Sequence, residues 1–92
     1  MNRIRVKLAV RGQVQGVGFR YFTLRTAQEL QLTGWVRNCE DGSVEAVLEG
    51  PEEFVSDALV DLRQGPESGH VEALHSENQP YRGEFNGFEV RF

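Results

Sequence analysis

Between residues 3 and 30 the spacing of apolar side chains changes from every second residue to every third or fourth, across a stretch rich in glycine. Ile4, Val6, Leu8 and Val10 alternate with Arg3, Arg5, Lys7, Ala9 and Arg11, the pattern of a strand with one buried face. Phe19, Phe22, Thr23, Thr26, Ala27 and Leu30 then recur at helical spacing opposite Arg25, Gln28, Glu29 and Gln31, which predicts a helix over about 20–31. Between them lies Gly12-Gln13-Val14-Gln15-Gly16-Val17-Gly18, read as a loop whose backbone needs conformations closed to other residues. A strand that turns through glycines into a helix leaves N–H groups unpaired near the positive end of the helix dipole. That is a cradle for an anion. Arg20, at its end, adds a planar fork of donors suited to two oxygens of a phosphate. On these residues alone, a tight strand-to-helix connection with no ligand stays open beside the cradle.

Further along, Thr33 to Arg37 reads as a second strand, and Asn38-Cys39-Glu40-Asp41-Gly42-Ser43 holds the Asp-Gly pair of a tight hairpin. Val44, Ala46 and Leu48 alternate with Glu45, Val47 and Glu49 as a third strand. Gly50-Pro51-Glu52-Glu53 opens a second helix, with Pro51 at its first position and two acids facing the positive end of its dipole. Phe54, Val55, Ala58, Leu59 and Leu62 form its buried stripe, and Gly65-Pro66 stops it. A fourth strand from His70 to Ser76, a polar loop from Gln79 to Asn86 and a last strand from Gly87 to Phe92 complete the chain. The order β-α-β-β-α-β plus a short C-terminal strand predicts an α+β, ferredoxin-like split βαβ sandwich, with two helices on one face of an antiparallel sheet. There the first and third strands lie side by side, so outward Arg5 and Lys7 stand near outward Glu45 and Glu49 and are largely neutralised.

The chain has 92 residues, 39% of them apolar, and is expected to form one domain over 1–92 that folds without metal or disulfide. A formal net charge of −4 argues against a protein that blankets phosphate backbones, so no nucleic-acid partner is expected. No run approaches the roughly 18 apolar residues of a membrane span, and the short Leu8-Ala9-Val10 run is no signal peptide. A lone cysteine, Cys39, suits a reducing compartment, and the expectation is a cytoplasmic protein. Nothing demands more than a monomer. Two nucleotide signatures fail: the loop lacks the Lys-Ser/Thr of a P-loop and the third glycine of the dinucleotide fingerprint.

The block from Gly12 through Gly18, Phe19 and Arg20, followed by Leu32-Thr33-Gly34-Trp35-Val36-Arg37-Asn38 and Asp41-Gly42-Ser43-Val44-Glu45, closely resembles the two signature blocks of the acylphosphatases. The likeness extends over nearly the whole chain, including Gly65-Pro66 and Phe88-Glu89-Val90-Arg91; only 65–71, without the usual second proline, departs from the pattern. The resemblance implies a small hydrolase of carboxyl-phosphate anhydrides that uses no metal or organic cofactor. It implies that Arg20 binds the phosphoryl group together with main-chain amides of Gln15, Gly16, Val17, Gly18, Phe19 and Arg20, and that Asn38 orients the attacking water. Gly12 and Ser43 take secondary places. The implied partners are an acyl phosphate as substrate and inorganic phosphate as product or competing ligand.

The chemistry agrees with that resemblance. A phosphate monoester needs a proton donor for its alkoxide leaving group, and the two blocks offer no placed acid. An acyl phosphate leaves as a carboxylate, whose conjugate acid has a pKa of roughly 4, so none is required. What remains is to hold the phosphoryl group, offset its charge and aim a water in line. Other residues read blandly. His70 and His75, five apart on a strand, lack companions for a metal, and Cys39 lacks a histidine to activate it. Asp41 suits turn chemistry, and Trp35 is left open between core and ligand stack. Two rival functions remain. One is an RNA-binding sheet, which would need outward aromatics where Arg5, Lys7, Ala9, Glu45, Val47 and Glu49 stand; the other is a non-catalytic or partner-dependent anion-binding module.

Overall fold

The computed structural model describes residues 2–92. Its elements are β1 (Arg3–Gln13), α1 (Phe19–Glu29), β2 (Thr33–Asn38), β3 (Val44–Pro51), α2 (Glu52–Gln64), β4 (His70–Gln79) and β5 (Phe88–Arg91). The strands form one sheet in the order β4-β1-β3-β2-β5. Every pairing is antiparallel except that of β5, which runs parallel to β2 along the edge, so the sheet is mixed where a wholly antiparallel one was expected. Otherwise the expected ferredoxin-like order is present. Alternation puts Val6, Leu8 and Val10 of β1 and Val44, Ala46 and Leu48 of β3 on one face, where they share a core with Phe19 and Ala27 of α1 and Val55, Ala58 and Leu62 of α2.

Element ends differ from the sequence reading for local reasons. β1 continues through Gln13, with a bulge between Arg11 and Gly12 against β4, so Gly12 belongs to the sheet. α1 starts one residue early because left-handed Gly18 (φ 78°) is its N-cap, and it ends at Glu29 because Gln31 takes φ 57° and the Leu32 N–H returns to Ala27 O. Pro51, with ψ 137°, is the last residue of β3 and precedes the helix it was expected to begin.

The open face of the sheet departs most from expectation. Arg5 and Glu49 are paired across β1 and β3, as foreseen, but they are not solvated. β4 runs on to Gln79, and the chain after it crosses over them: the N–H groups of Arg82 and Gly83 donate to the Glu49 carboxylate at 2.9 and 3.1 Å. Arg5 donates to Glu49 (3.3 Å), Glu84 (2.8 Å) and Gln79 (3.0 Å), with its guanidinium 5.3 Å from the Phe85 ring. Arg5 is therefore 8% exposed and Glu49 1%. The polar composition of 79–86 serves a clasp over the sheet.

Candidate active site

The loop leaving β1 is held at both ends by burial, since Val14 and Phe19 are almost fully enclosed. Burying a phenylalanine is worth roughly 1.5–3 kcal/mol, which anchors the first turn of α1 and with it the loop. Gly16 (φ 74°) and Gly18 (φ 78°) take left-handed conformations that other residues adopt only at a cost. A Cβ at either would meet nothing within 4 Å, so the requirement is conformational and the space above both is open. Gly12 differs. A Cβ there would collide with the His70 carbonyl oxygen, so glycine at this position is required by the close approach of β4.

The two helices begin in opposite electrostatic circumstances. α2 carries Glu52 and Glu53 in its first turn; α1 carries no acid there, no side-chain cap, and instead Arg20. Its first N–H groups thus lack intrahelical partners and a neutralising charge, and the guanidinium adds to the positive potential. Among the described residues no carboxylate pairs with Arg20. Its Nη1 donates to the Arg91 carbonyl oxygen at 3.2 Å, and its guanidinium lies 4.6 Å from the Phe92 ring. The end of β5 therefore steers the fork without neutralising it.

Val14, Gly16, Gly18, Phe19, Arg20, Tyr21 and Asn38 line a single cavity of about 200 Å³. Asn38 comes from the last position of β2, and its Oδ1 is buried with no hydrogen-bond donor among the described residues. An unmet buried acceptor costs about 1–3 kcal/mol, so this atom marks a place for a donor from outside the chain. Gln15 and Ser43 act on the surroundings. The Gln15 side chain donates to the carbonyl oxygens of Cys39 (2.8 Å) and Ser43 (2.9 Å), tying the loop to the hairpin behind Asn38. The Ser43 hydroxyl, expected near the site, donates to Asp41 Oδ1 at 2.6 Å, as does its N–H at 3.0 Å, and it does not reach the cavity. Those two bonds hold the Asp41 carboxyl below the usual carboxylate range. The Val17 carbonyl accepts from Ser68, and its side chain packs against the core.

The cavity thus gathers Arg20, Asn38, Gly16, Gly18 and Phe19 of the residues singled out from sequence, while Gly12, Gln15, Val17 and Ser43 are not among its lining residues. Val14 and Tyr21 were missed. Val14 continues the odd-even alternation of β1 and is buried by it; Tyr21 stands in the first turn of α1 beside Arg20, off the apolar stripe, which was its signal. Trp35 lies on the other face of the sheet, 4.6 Å from the Arg91 guanidinium and 5.5 Å from that of Arg37, so it is no part of this site. Among the described residues no group of His, Cys, Asp and Glu is arranged to hold a metal ion, and no helix is long and apolar enough to cross a membrane.

A two-layer α+β sandwich of the split βαβ class thus gathers a helix N-terminus without an acid, an arginine without a carboxylate partner among the described residues and an orphaned amide oxygen around one small cavity, a setting suited to an anion. Residues 6–90 match the family model described as Acylphosphatase. The chain is 54% identical to an acylphosphatase of Syntrophotalea carbinolica over 92 residues, the full length of both. Solved structures superpose on it: a crystal structure of an acylphosphatase from Bacillus subtilis with TM-score 0.93 at 31% identity, covering 97% of this chain and 99% of that one, and a structure of an acylphosphatase from Coxiella burnetii with TM-score 0.93 at 36% identity, covering 98% and 94%. The chain belongs to the acylphosphatase family.

Proposed function

We propose that residues 1–92 form one acylphosphatase domain that hydrolyses the carboxyl-phosphate anhydride of acyl phosphates to a carboxylate and inorganic phosphate by in-line attack of an oriented water. The observation that carries this reading is the pairing, in one cavity, of an arginine without a carboxylate partner and an asparagine whose buried Oδ1 has no donor, both among the described residues. The phosphoryl oxygens sit against the first amides of α1 and the Arg20 fork, which offset charge on the transferring group. A water on Asn38 donates one hydrogen to Oδ1 and presents its lone pair to phosphorus. An amide is no base, so the proton passes to a phosphoryl oxygen of the substrate. The carboxylate departs unassisted, so no carboxylic acid or histidine is needed among the lining residues, and none is there. The enzyme acts on a small molecule, as a cytosolic monomer that requires neither metal nor nucleic acid.

Incubation of purified protein with benzoyl or acetyl phosphate, with and without EDTA, tests the reading through phosphate release. Acceleration over buffer that survives EDTA is the expected result. None would defeat the enzymatic reading in favour of a binding module, and loss with EDTA would defeat the metal-free one.

Two substitutions separate the parts. Asn38→Ala is expected to lower kcat about 10²–10³-fold, the cost of one oriented group, while inorganic phosphate inhibits as before. Its melting temperature should hold or rise, since among the described residues Oδ1 has no hydrogen bond to lose and its removal relieves an unmet buried acceptor. Gln15→Ala removes both bonds to the hairpin and lets Asn38 drift; displacement of order 1 Å can cost about 10²-fold, so kcat should fall by roughly ten- to a hundredfold with phosphate affinity kept. A Gln15→Ala enzyme with unchanged kcat would show that the hairpin holds itself.

A further inference from the structure

We infer that Tyr21 forms the acyl-side subsite of this enzyme and gives it a preference for acyl phosphates whose acyl group is aromatic or bulky and apolar. The inference rests on the acyl phosphate reading and names the substrate class within it. The cavity volume, about 200 Å³, lies below the ~300–1,000 Å³ of pockets that enclose a whole drug-sized ligand. It receives the phosphoryl end. The acyl group must project beyond it, and in-line geometry directs that group away from the water on Asn38, so specificity is decided by what stands at the rim.

Of the seven lining residues, Tyr21 has the one large side chain left mostly in water, at 63% exposed. Side chains on a helix lean toward its N-terminus, so a first-turn residue such as Tyr21 extends back toward the loop of Gly16 and Gly18, above which the space is open. Tyr21 and Phe92 are two of only four exposed large apolar side chains among the described residues, and they flank Arg20 in sequence and in space respectively. Phe92 already has a partner in the Arg20 guanidinium. Among the described residues the Tyr21 ring has neither an aromatic nor a cationic one. An exposed apolar surface at the mouth of a polar pocket is the form a ligand platform takes. A benzoyl ring can lie on it; the methyl of an acetyl group is too small to use it.

The test is the ratio of kcat/KM for benzoyl phosphate to that for acetyl phosphate in the unmodified enzyme, in Tyr21→Ser and in Tyr21→Phe. Aromatic pairing predicts that the ratio falls about three- to tenfold in Tyr21→Ser, chiefly through a higher KM for benzoyl phosphate, because the contact is the same in ground and transition states. Tyr21→Phe keeps the ring and should keep the ratio. An unchanged ratio in Tyr21→Ser, or a Tyr21→Phe enzyme that loses it equally, overturns the inference. Unmodified protein that hydrolyses neither compound overturns the acyl phosphate reading itself, a result distinct from an active enzyme indifferent to residue 21.

Discussion

Arg20→Lys is expected to lose as much activity as Arg20→Ala, about 10³–10⁵ in kcat/KM, the worth of an arginine on a transferring phosphoryl group. Charge is conserved in the lysine variant; geometry is not. The guanidinium lies 4.6 Å from the Phe92 ring and gives Nη1 to the Arg91 carbonyl oxygen, so its plane is set before substrate arrives and its remaining N–H groups stay in a fixed fork. An ammonium on a flexible stem cannot satisfy that carbonyl and two phosphoryl oxygens together. Steady-state kinetics with benzoyl phosphate, and inhibition by inorganic phosphate, provide the measurement. Both variants should lose phosphate inhibition along with turnover. Stability should change little, because Arg20 is partly exposed and among the described residues has no carboxylate partner. A lysine enzyme within tenfold of the unmodified one would mean that positive charge alone suffices.

The same residues show what periodicity can and cannot carry. Strands and helices were legible because burial forces it: Val6, Leu8 and Val10 must share a face, and so must Val55, Ala58 and Leu62. Arg20, Gly16 and Gly18 were legible because their chemistry is tied to local sequence, glycines for a left-handed turn and an arginine at a helix start, whereas Asn38 entered only through the resemblance to the acylphosphatases. Ser43 and Gln15 were not resolved, because each has a backbone or side-chain neighbour competing for the same donor, and only coordinates reveal that Asp41 and the carbonyls of Cys39 and Ser43 win. Tyr21 escaped because its one signal, an aromatic off the apolar stripe beside Arg20, says that the ring is exposed and not what it faces. Glu49 was misread for a related reason. Alternation placed it correctly on the open face, yet whether that face meets water depends on where a loop more than thirty residues away comes to rest.

That loop makes Glu49→Ala the change with the largest expected effect on stability. Removing one member of a buried ion pair costs about 3–5 kcal/mol when the other is left alone. Here Arg5 retains Glu84 and Gln79, and the amides of Arg82 and Gly83 can return to water if the loop lifts, so the loss should sit lower, at roughly 2–3 kcal/mol. For a domain of this size that lowers Tm by about 10–20 °C. Hydrogen exchange should accelerate first at the amides of Arg82 and Gly83, which lose their acceptor, before any rise within β1 or β3. Activity at low temperature should be spared: Asn38 pairs with Val44, five residues along β3 from Glu49, a separation of about 17 Å at ~3.4 Å per residue. A double-mutant cycle with Arg5→Leu and Glu49→Leu then apportions the loss. If the direct ion pair dominates, the two changes are strongly non-additive and coupling reaches 1–3 kcal/mol by the usual magnitude for contacting residues, roughly. Near-additive losses would assign the stability of the clasp to the two backbone N–H groups that Glu49 accepts, and would make the arginine a lid over the carboxylate, with Glu84 as its principal partner.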